Sequence, residues 1–208
     1  MTVAEALRLG LEGLHLTLPV EASCKLLAYV GLLGRWNRTY NLTAIREPGR
    51  MVSHHLIDSL AVLPHLPAGS LVDVGSGGGL PGIPIAIAQP WRAVTLNDSN
   101  HKKSTFLQQA TIELGLSNLA VHAGRAEDWH PPERFDGAIS RAFAELDRFV
   151  AVCRHLVKPG GFYAGMKGRC PNEEILKLPS DVKSTEIVRL KVPLVAGERH
   201  LVLCRGEG

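Results

Sequence analysis

The segment LVDVGSGGGLPGIP, Leu71 to Pro84, constrains the fold of this 208-residue chain more than any other. Leu71, Val72 and Val74 read as a short buried strand. Four of the next five residues are glycine: Gly75, Gly77, Gly78 and Gly79. Glycine weakens a fold unless its backbone freedom is used, so a cluster of this kind marks a loop with a task. A helix can open near Pro81, because the missing proline N–H is not needed in a first turn. Strand, glycine loop and helix form the ligand-binding end of an open α/β sheet.

Two templates compete for the ligand. Gly77-x-Gly79-x-x-Gly82 matches the dinucleotide fingerprint, with Asp98 about 20 residues on, where a ribose-binding acid is expected. A phosphate-binding P-loop is excluded, since no Lys-Ser or Lys-Thr follows the glycines. Charge separates the remaining options. Asp73, two residues before the first glycine, is expected at the mouth of the site, where a pyrophosphate would meet a like charge. Pro81 and Pro84 remove two N–H groups from the helix start that would cradle a phosphate. S-adenosylmethionine (SAM) carries a sulfonium and an ammonium and no phosphate, so the segment favours SAM over NAD.

Bulk properties narrow the class. No apolar run approaches the ~18 residues of a membrane helix, and the acid-bearing stretch MTVAEALRLG is not expected to act as a signal peptide. Cys24, Cys153, Cys170 and Cys204 are scattered with no C-x-x-C pair, which argues against a zinc site and for a reduced, cytoplasmic chain. Net charge is +3 but uneven. Residues 71–140 hold five Lys/Arg against seven Asp/Glu, and residues 141–208 hold twelve against eight. A basic C-terminal third suits a polyanionic partner.

Residues 1–70 read as a helical extension. Thr2-x-x-Glu5 fits a capping box. Leu26, Leu27, Val30 and Leu33 recur at helical spacing behind Pro19. A polar-aromatic segment, Arg35 to Asn41, is expected after that helix. A third helix is expected over Val52–Leu63, with Leu56, Leu60 and Leu63 inward, and Pro64–Ser70 as a linker. Residues 71–208 read as the ligand-binding domain. Strands are expected at Leu71–Val74, Ala93–Asn97, Leu119–His122, Gly137–Ser140 and Gly161–Met166, alternating with helices at Pro81–Ala88, His101–Leu114 and Glu145–Val157. Asn100 suits an N-cap and Gly115 a C-terminal stop. Thr185–Val192 and His200–Cys204 follow with no helix between them, which predicts an antiparallel hairpin closing an otherwise parallel sheet. The expected fold class is therefore α/β, with the Rossmann-like, mainly parallel seven-stranded topology expected of class I SAM-dependent methyltransferases.

Six segments occur in order: WNRTYNLTAI, HHLIDSLAVLP, DVGSGGGLPGIPIAI, SRAFAELDRFV, GGFYAGMKG and VPLVAGERHLVL. Together they resemble the bacterial small-subunit rRNA guanine-N7 methyltransferases, also called glucose-inhibited division protein B, from about Lys25 to Arg205. The resemblance implies SAM as cofactor and 16S rRNA, naked or within a ribosomal particle, as partner. No membrane or metal partner is expected, and the chain is expected to be a monomer. Composition and periodicity alone stop at a methyltransferase, and two alternatives to the rRNA reading stand beside it, a small-molecule SAM methyltransferase and, behind it, an NAD(P)-binding oxidoreductase.

The resemblance also implies site roles. Gly75 and Leu80 would line the SAM pocket, and Asp98 would take the ribose hydroxyls. Asn97 would point to the opposite face of its strand. Ala126 and Glu127 would meet the adenine. Arg141 would hold the methionine carboxylate or an RNA phosphate, the plainer alternative being an ion pair with Glu145. Arg35, Arg38, Lys167, Arg169 and Arg199, with Trp36 and His200, are candidates for an RNA surface. His54, His55 and Asp58 lack the further ligand that a metal site needs. Guanine N7 carries a free lone pair and no proton, so no general base is required and no catalytic residue is assigned.

Overall fold

A computed structural model of the chain describes residues 1–141, 143 and 145–206, with Lys183 and Ser184 by backbone alone. Ala142 and Ala144, in the SRAFAELDRFV segment, lie outside the described residues. Seven strands form one sheet in the order β3-β2-β1-β4-β5-β7-β6. They are β1 (Leu71–Val74), β2 (Val94–Asp98), β3 (Leu119–Ala123), β4 (Phe135–Ser140), β5 (Val157–Lys167), β6 (Val182–Arg189) and β7 (His200–Gly206). Strands β1 to β5 pair in parallel. Strand β7 inserts antiparallel between β5 and β6, as the helix-free C-terminal segment predicts. The chain leaves β1 toward β2 and β3, then crosses back to β4 on the other side of β1. That reversal opens a crevice at the carboxyl ends of β1 and β4, where open α/β sheets bind ligands.

The N-terminal helices cover one face of this sheet. Helix α1 (Val3–Gly13) starts at the Thr2–Glu5 capping box, each residue's side chain accepting the other's backbone N–H. Helix α2 (Val20–Tyr40) runs further than the aliphatic spacing predicts. The reason is Trp36, which lies on Phe106 with ring centroids 5.6 Å apart and extends the buried stripe by another turn. Asn41 then stops the helix in the left-handed conformation, at φ 50°. Pro48 to Leu60 forms one helical rod in three parts: α3 (Pro48–Met51), a π turn (Val52–Ile57) and α4 (Asp58–Leu60). Leu56 and Leu60 point inward as expected and are fully buried. The expected linker is tied down, for Arg92 donates to the carbonyls of Pro67 and Gly69 at 2.9 and 2.8 Å.

Helix α5 (Gly82–Ala88) is buried along its whole length, and α6 (His101–Glu113) is capped by Asn100, whose side chain accepts the N–H groups of Lys102 and Lys103. Gly115 ends α6 region by turning at φ +59°. One apolar cluster runs from Ala6 and Tyr29 through Ile83 and Leu107 to Leu201. A second, on the opposite face, is built around α7 (Leu146–Cys153) with Val72, Phe149 and Tyr163. A short α8 (Asn172–Ile175) follows β5. Burying both faces of β1 explains why Leu71 to Val74 is apolar apart from one acid.

Candidate active site

The glycine loop is held by its own backbone. The N–H groups of Gly75 and Ser76 both donate to the carbonyl of Asn97, at 2.9 and 3.0 Å, locking β1 to β2 where the loop begins. Ser76 Oγ donates to the Asp73 carbonyl, and the Ser76 carbonyl accepts from Gly79 and Leu80. Tyr29 of α2 donates its hydroxyl to the Gly78 carbonyl, so the helical extension braces the loop from outside. Gly75, Gly77 and Gly79 all have positive φ, from 59° to 86°. A Cβ placed on Gly75 would meet nothing within 4 Å, so this exposed glycine faces open space.

That space is a cavity of about 180 Å³ at the carboxyl ends of β1, β2 and β3. Gly75, Asp98, Ala126 and Glu127 come together around it, with Asn97 and Phe143. Asp98 Oδ2 accepts the Gly77 N–H at 2.9 Å and Oδ1 accepts the Asn100 N–H at 2.8 Å. Each oxygen keeps a lone pair for a further donor. Ala126 is buried, and Glu127 is exposed beside Arg125 at 3.1 Å. Asn97 departs from the expected opposite face. It is buried at the cavity wall and ties β2 to the end of β3 by donating to the Gly124 carbonyl at 2.9 Å.

Two expected site residues do not line this cavity. Leu80 is 4 % exposed and packs into the core cluster behind the loop. Asp73 is not at the mouth of the site: it is fully buried, and its Oδ2 accepts the Gly82 N–H at 2.9 Å. In place of facing a cation it caps the start of α5. The same contact strengthens the case against a dinucleotide. The Gly82 N–H is taken by Asp73, that of Ile83 by the Gly79 carbonyl, and Pro84 has none. The first turn of α5 has no N–H left for a pyrophosphate.

Burial raises the Asp73 carboxyl to about 7, against the opposing pull of the Gly82 N–H. A carboxyl held above its unfolded value stabilises the fold fully below about pH 4, and that contribution is lost progressively as the pH rises to about 7. Asp73→Asn keeps an oxygen for the Gly82 N–H and removes the titration. The melting temperature of the variant, relative to the parent, is expected to climb from about pH 4 to about pH 7 and to level off above that. A difference constant across that range would show that Asp73 does not titrate there.

Past Phe143 the crevice continues. Phe143 lines both the first cavity and a second of about 350 Å³, which shares Arg141, Met166, Lys167 and Gly168 with a third of about 360 Å³. The third cavity is organised by Asp58, a buried carboxylate at the start of α4. Arg199 donates to it at 3.0 Å, and Arg141 lies 3.5 Å from its other oxygen. Arg141 therefore pairs with Asp58 and not with Glu145, and also donates to the His54 carbonyl at 3.2 Å. Burial pushes the Asp58 carboxyl up, while the two guanidinium groups pull it down. His55 is held down to about 4, first by burial and then by Arg141, so its ring is neutral at pH 7. Asp58 is the residue sequence reasoning missed. The sequence offers it only as a metal ligand, because its partners are 83 and 141 positions away. No cluster of metal-binding side chains occurs among the described residues.

The expected RNA residues divide. Lys167 is not an open surface cation: its ammonium sits 2.7 Å from Glu174 and 3.2 Å from the Phe143 carbonyl. Arg199 is likewise engaged by Asp58, beside the buried His200. Trp36 is part of the core edge. Arg35, Arg38 and Arg169 are exposed, with Arg35 paired to Glu113 at 3.2 Å.

A family model described as rRNA small subunit methyltransferase G matches residues 22–202. A Laribacter hongkongensis protein named ribosomal RNA small subunit methyltransferase G is 52% identical over 202 residues, 97% of this chain and 98% of its own. Its namesake from Neisseria meningitidis serogroup B is 50% identical over 200 residues, 96% of each chain. Among solved structures, the O-methyltransferase TomG of Streptomyces achromogenes, in complex with SAM, superposes with a TM-score of 0.55 at 16% identity, covering 86% of this chain and 90% of that one. A Streptococcus thermophilus rRNA methylase gives 0.50 at 16%, covering 75% and 97%. These two likenesses speak to the fold, which is that of the class I methyltransferases. At half identity over nearly their full length, the relatives settle the rest: the chain belongs to the rRNA small subunit methyltransferase G family.

Proposed function

We infer that the chain transfers a methyl group from SAM to N7 of a guanine in small-subunit rRNA. The observation that carries this reading is the continuity of the crevice. A cavity with open space before Gly75 and a carboxylate at Asp98 runs past Phe143 into one lined by Arg141. The first part suits SAM: Asp98 has lone pairs for two ribose hydroxyls, Ala126 leaves room for a flat ring, and Gly75 allows close passage of the chain. Glu127 borders the same ring site. Bound SAM supplies an electrophilic methyl on a sulfonium. The second part suits the acceptor nucleotide, with Arg141 and Arg199 held side by side by Asp58 to meet phosphate.

N7 needs no deprotonation, so the residues act by holding two reactants in line. Positioning of this kind can supply several kcal/mol of barrier lowering, up to roughly 7–11 in the best intramolecular cases. Asp73 and Leu80 support the loop from behind. A small-molecule acceptor is disfavoured by the family membership, and a dinucleotide by the sealed start of α5. No described helix is long and apolar enough to cross a membrane. An enzyme with this substrate works in the cytoplasm, where small subunits are assembled.

The test is transfer of labelled methyl from SAM to unmodified 16S rRNA, presented naked and as small-subunit particles, followed by digestion to nucleosides. Labelled 7-methylguanosine is expected. Label in another nucleoside would correct the acceptor atom, and label in neither RNA form would refute the reading.

A further inference from the structure

A further cavity lies outside this crevice. It is about 690 Å³ and is lined by α1, α2, α3 and Arg46. Leu27, Val30 and Met51 give it an apolar floor. Arg35, Arg38 and Arg46 stand around it. Arg38 and Arg46 are exposed and have no acidic partner among the described residues. Two glycines of α2, Gly31 and Gly34, form part of the wall, and a Cβ added to either would meet nothing within 4 Å. Glycine is the least favoured ordinary residue in a helix interior, and here it leaves room that no side chain of this protein uses. The cavity is also joined to the acceptor side of the crevice by the chain itself. Ile45 lines the Asp58 cavity, and the next residue, Arg46, lines this one.

We propose that this cavity receives an unstacked base of the substrate RNA, with the flanking phosphates on Arg38 and Arg46. The proposal rests on the rRNA methyltransferase reading and adds an anchoring site to it. Its chemistry is that of single-stranded RNA recognition: an apolar slot or guanidinium plane takes the base face, and arginines take the backbone. A volume of about 690 Å³ lies within the ~300–1,000 Å³ usual for small-ligand pockets. The segment Ile45–Arg46 then spans neighbouring nucleotides, with the acceptor on one side and the anchor on the other.

Gly34→Leu tests this by filling the cavity without changing charge. Helix α2 should keep its thermal stability, since the new side chain meets open space and glycine is lost from a helix. The apparent KM for 16S rRNA is expected to rise at least about tenfold, the scale of one lost base-stacking contact. Transfer at saturating RNA and the Kd for SAM should stay at parental values. The double variant Arg38→Gln, Arg46→Gln should reduce the slope of log K against log salt by roughly one to two, as two phosphate contacts predict. Folded variants with parental RNA affinity and salt slope would overturn the proposal, even where the parent methylates RNA normally. Loss of binding to a protein of the particle, with naked RNA unaffected, would also overturn it. A parent that transfers no methyl to RNA would instead refute the function itself.

Discussion

Replacing Asp98 by alanine is expected to weaken SAM binding by roughly 1–3 kcal/mol, about 5- to 150-fold in Kd. Two losses combine in the variant. The ribose hydroxyls lose their acceptor. In addition, the N–H groups of Gly77 and Asn100 lose the oxygens that hold them at 2.9 and 2.8 Å, so the glycine loop loosens. Asp98→Asn separates the two, because its single oxygen keeps one acceptor, and its affinity should fall between those of parent and alanine variant. Calorimetric titration with SAM reads both. An unchanged Kd in Asp98→Ala would remove this carboxylate from the cofactor site.

Asp58→Ala is expected to have the largest effect on stability. The carboxylate is 5 % exposed and is the shared partner of Arg199 and Arg141. Removing one member of a buried ion pair leaves charge uncompensated and costs about 3–5 kcal/mol. Both guanidinium side chains are about a quarter exposed, at 25% and 27%, and can turn toward water, so the low end applies. A loss of about 3 kcal/mol lowers the melting temperature of a chain this size by roughly 6–12 °C. Its RNA affinity should fall as well, because the two arginines lose their common alignment. SAM affinity should change little, since Asp58 does not reach the Gly75 cavity. A melting temperature within about a degree of the parent's would show that the two arginines do not depend on Asp58.

How far the sequence reaches is clearest in these two acids. The place of Asp98 beside the glycine loop was legible because its cues are local: it ends an apolar strand, follows a glycine loop at a known distance, and precedes a helix cap. The same holds for the order of strands and helices, for the hairpin, and for the capping box at Thr2. Asp73 was misplaced for a physical reason. Position relative to the glycines says that an acid stands near the loop, but not on which side of the loop its side chain lies, and the packing of α5 decides that. Asp58 was out of reach because its partners come from the far side of the fold. Lys167 and Arg199 looked like open cations because sequence shows charge without showing Glu174 or Asp58 beside it. The length of α2 depended on Phe106, a residue of another helix.

The most direct measurement is a crystal structure of the protein with S-adenosylhomocysteine bound. The adenine is expected against Ala126 and Glu127, the ribose hydroxyls on the Asp98 carboxylate, and the amino-acid chain passing in front of Gly75. The sulfur should point along the crevice toward Phe143 and Arg141. A ligand seated in the arginine-rimmed cavity of the N-terminal helices, or one that leaves Asp98 uncontacted, would contradict it.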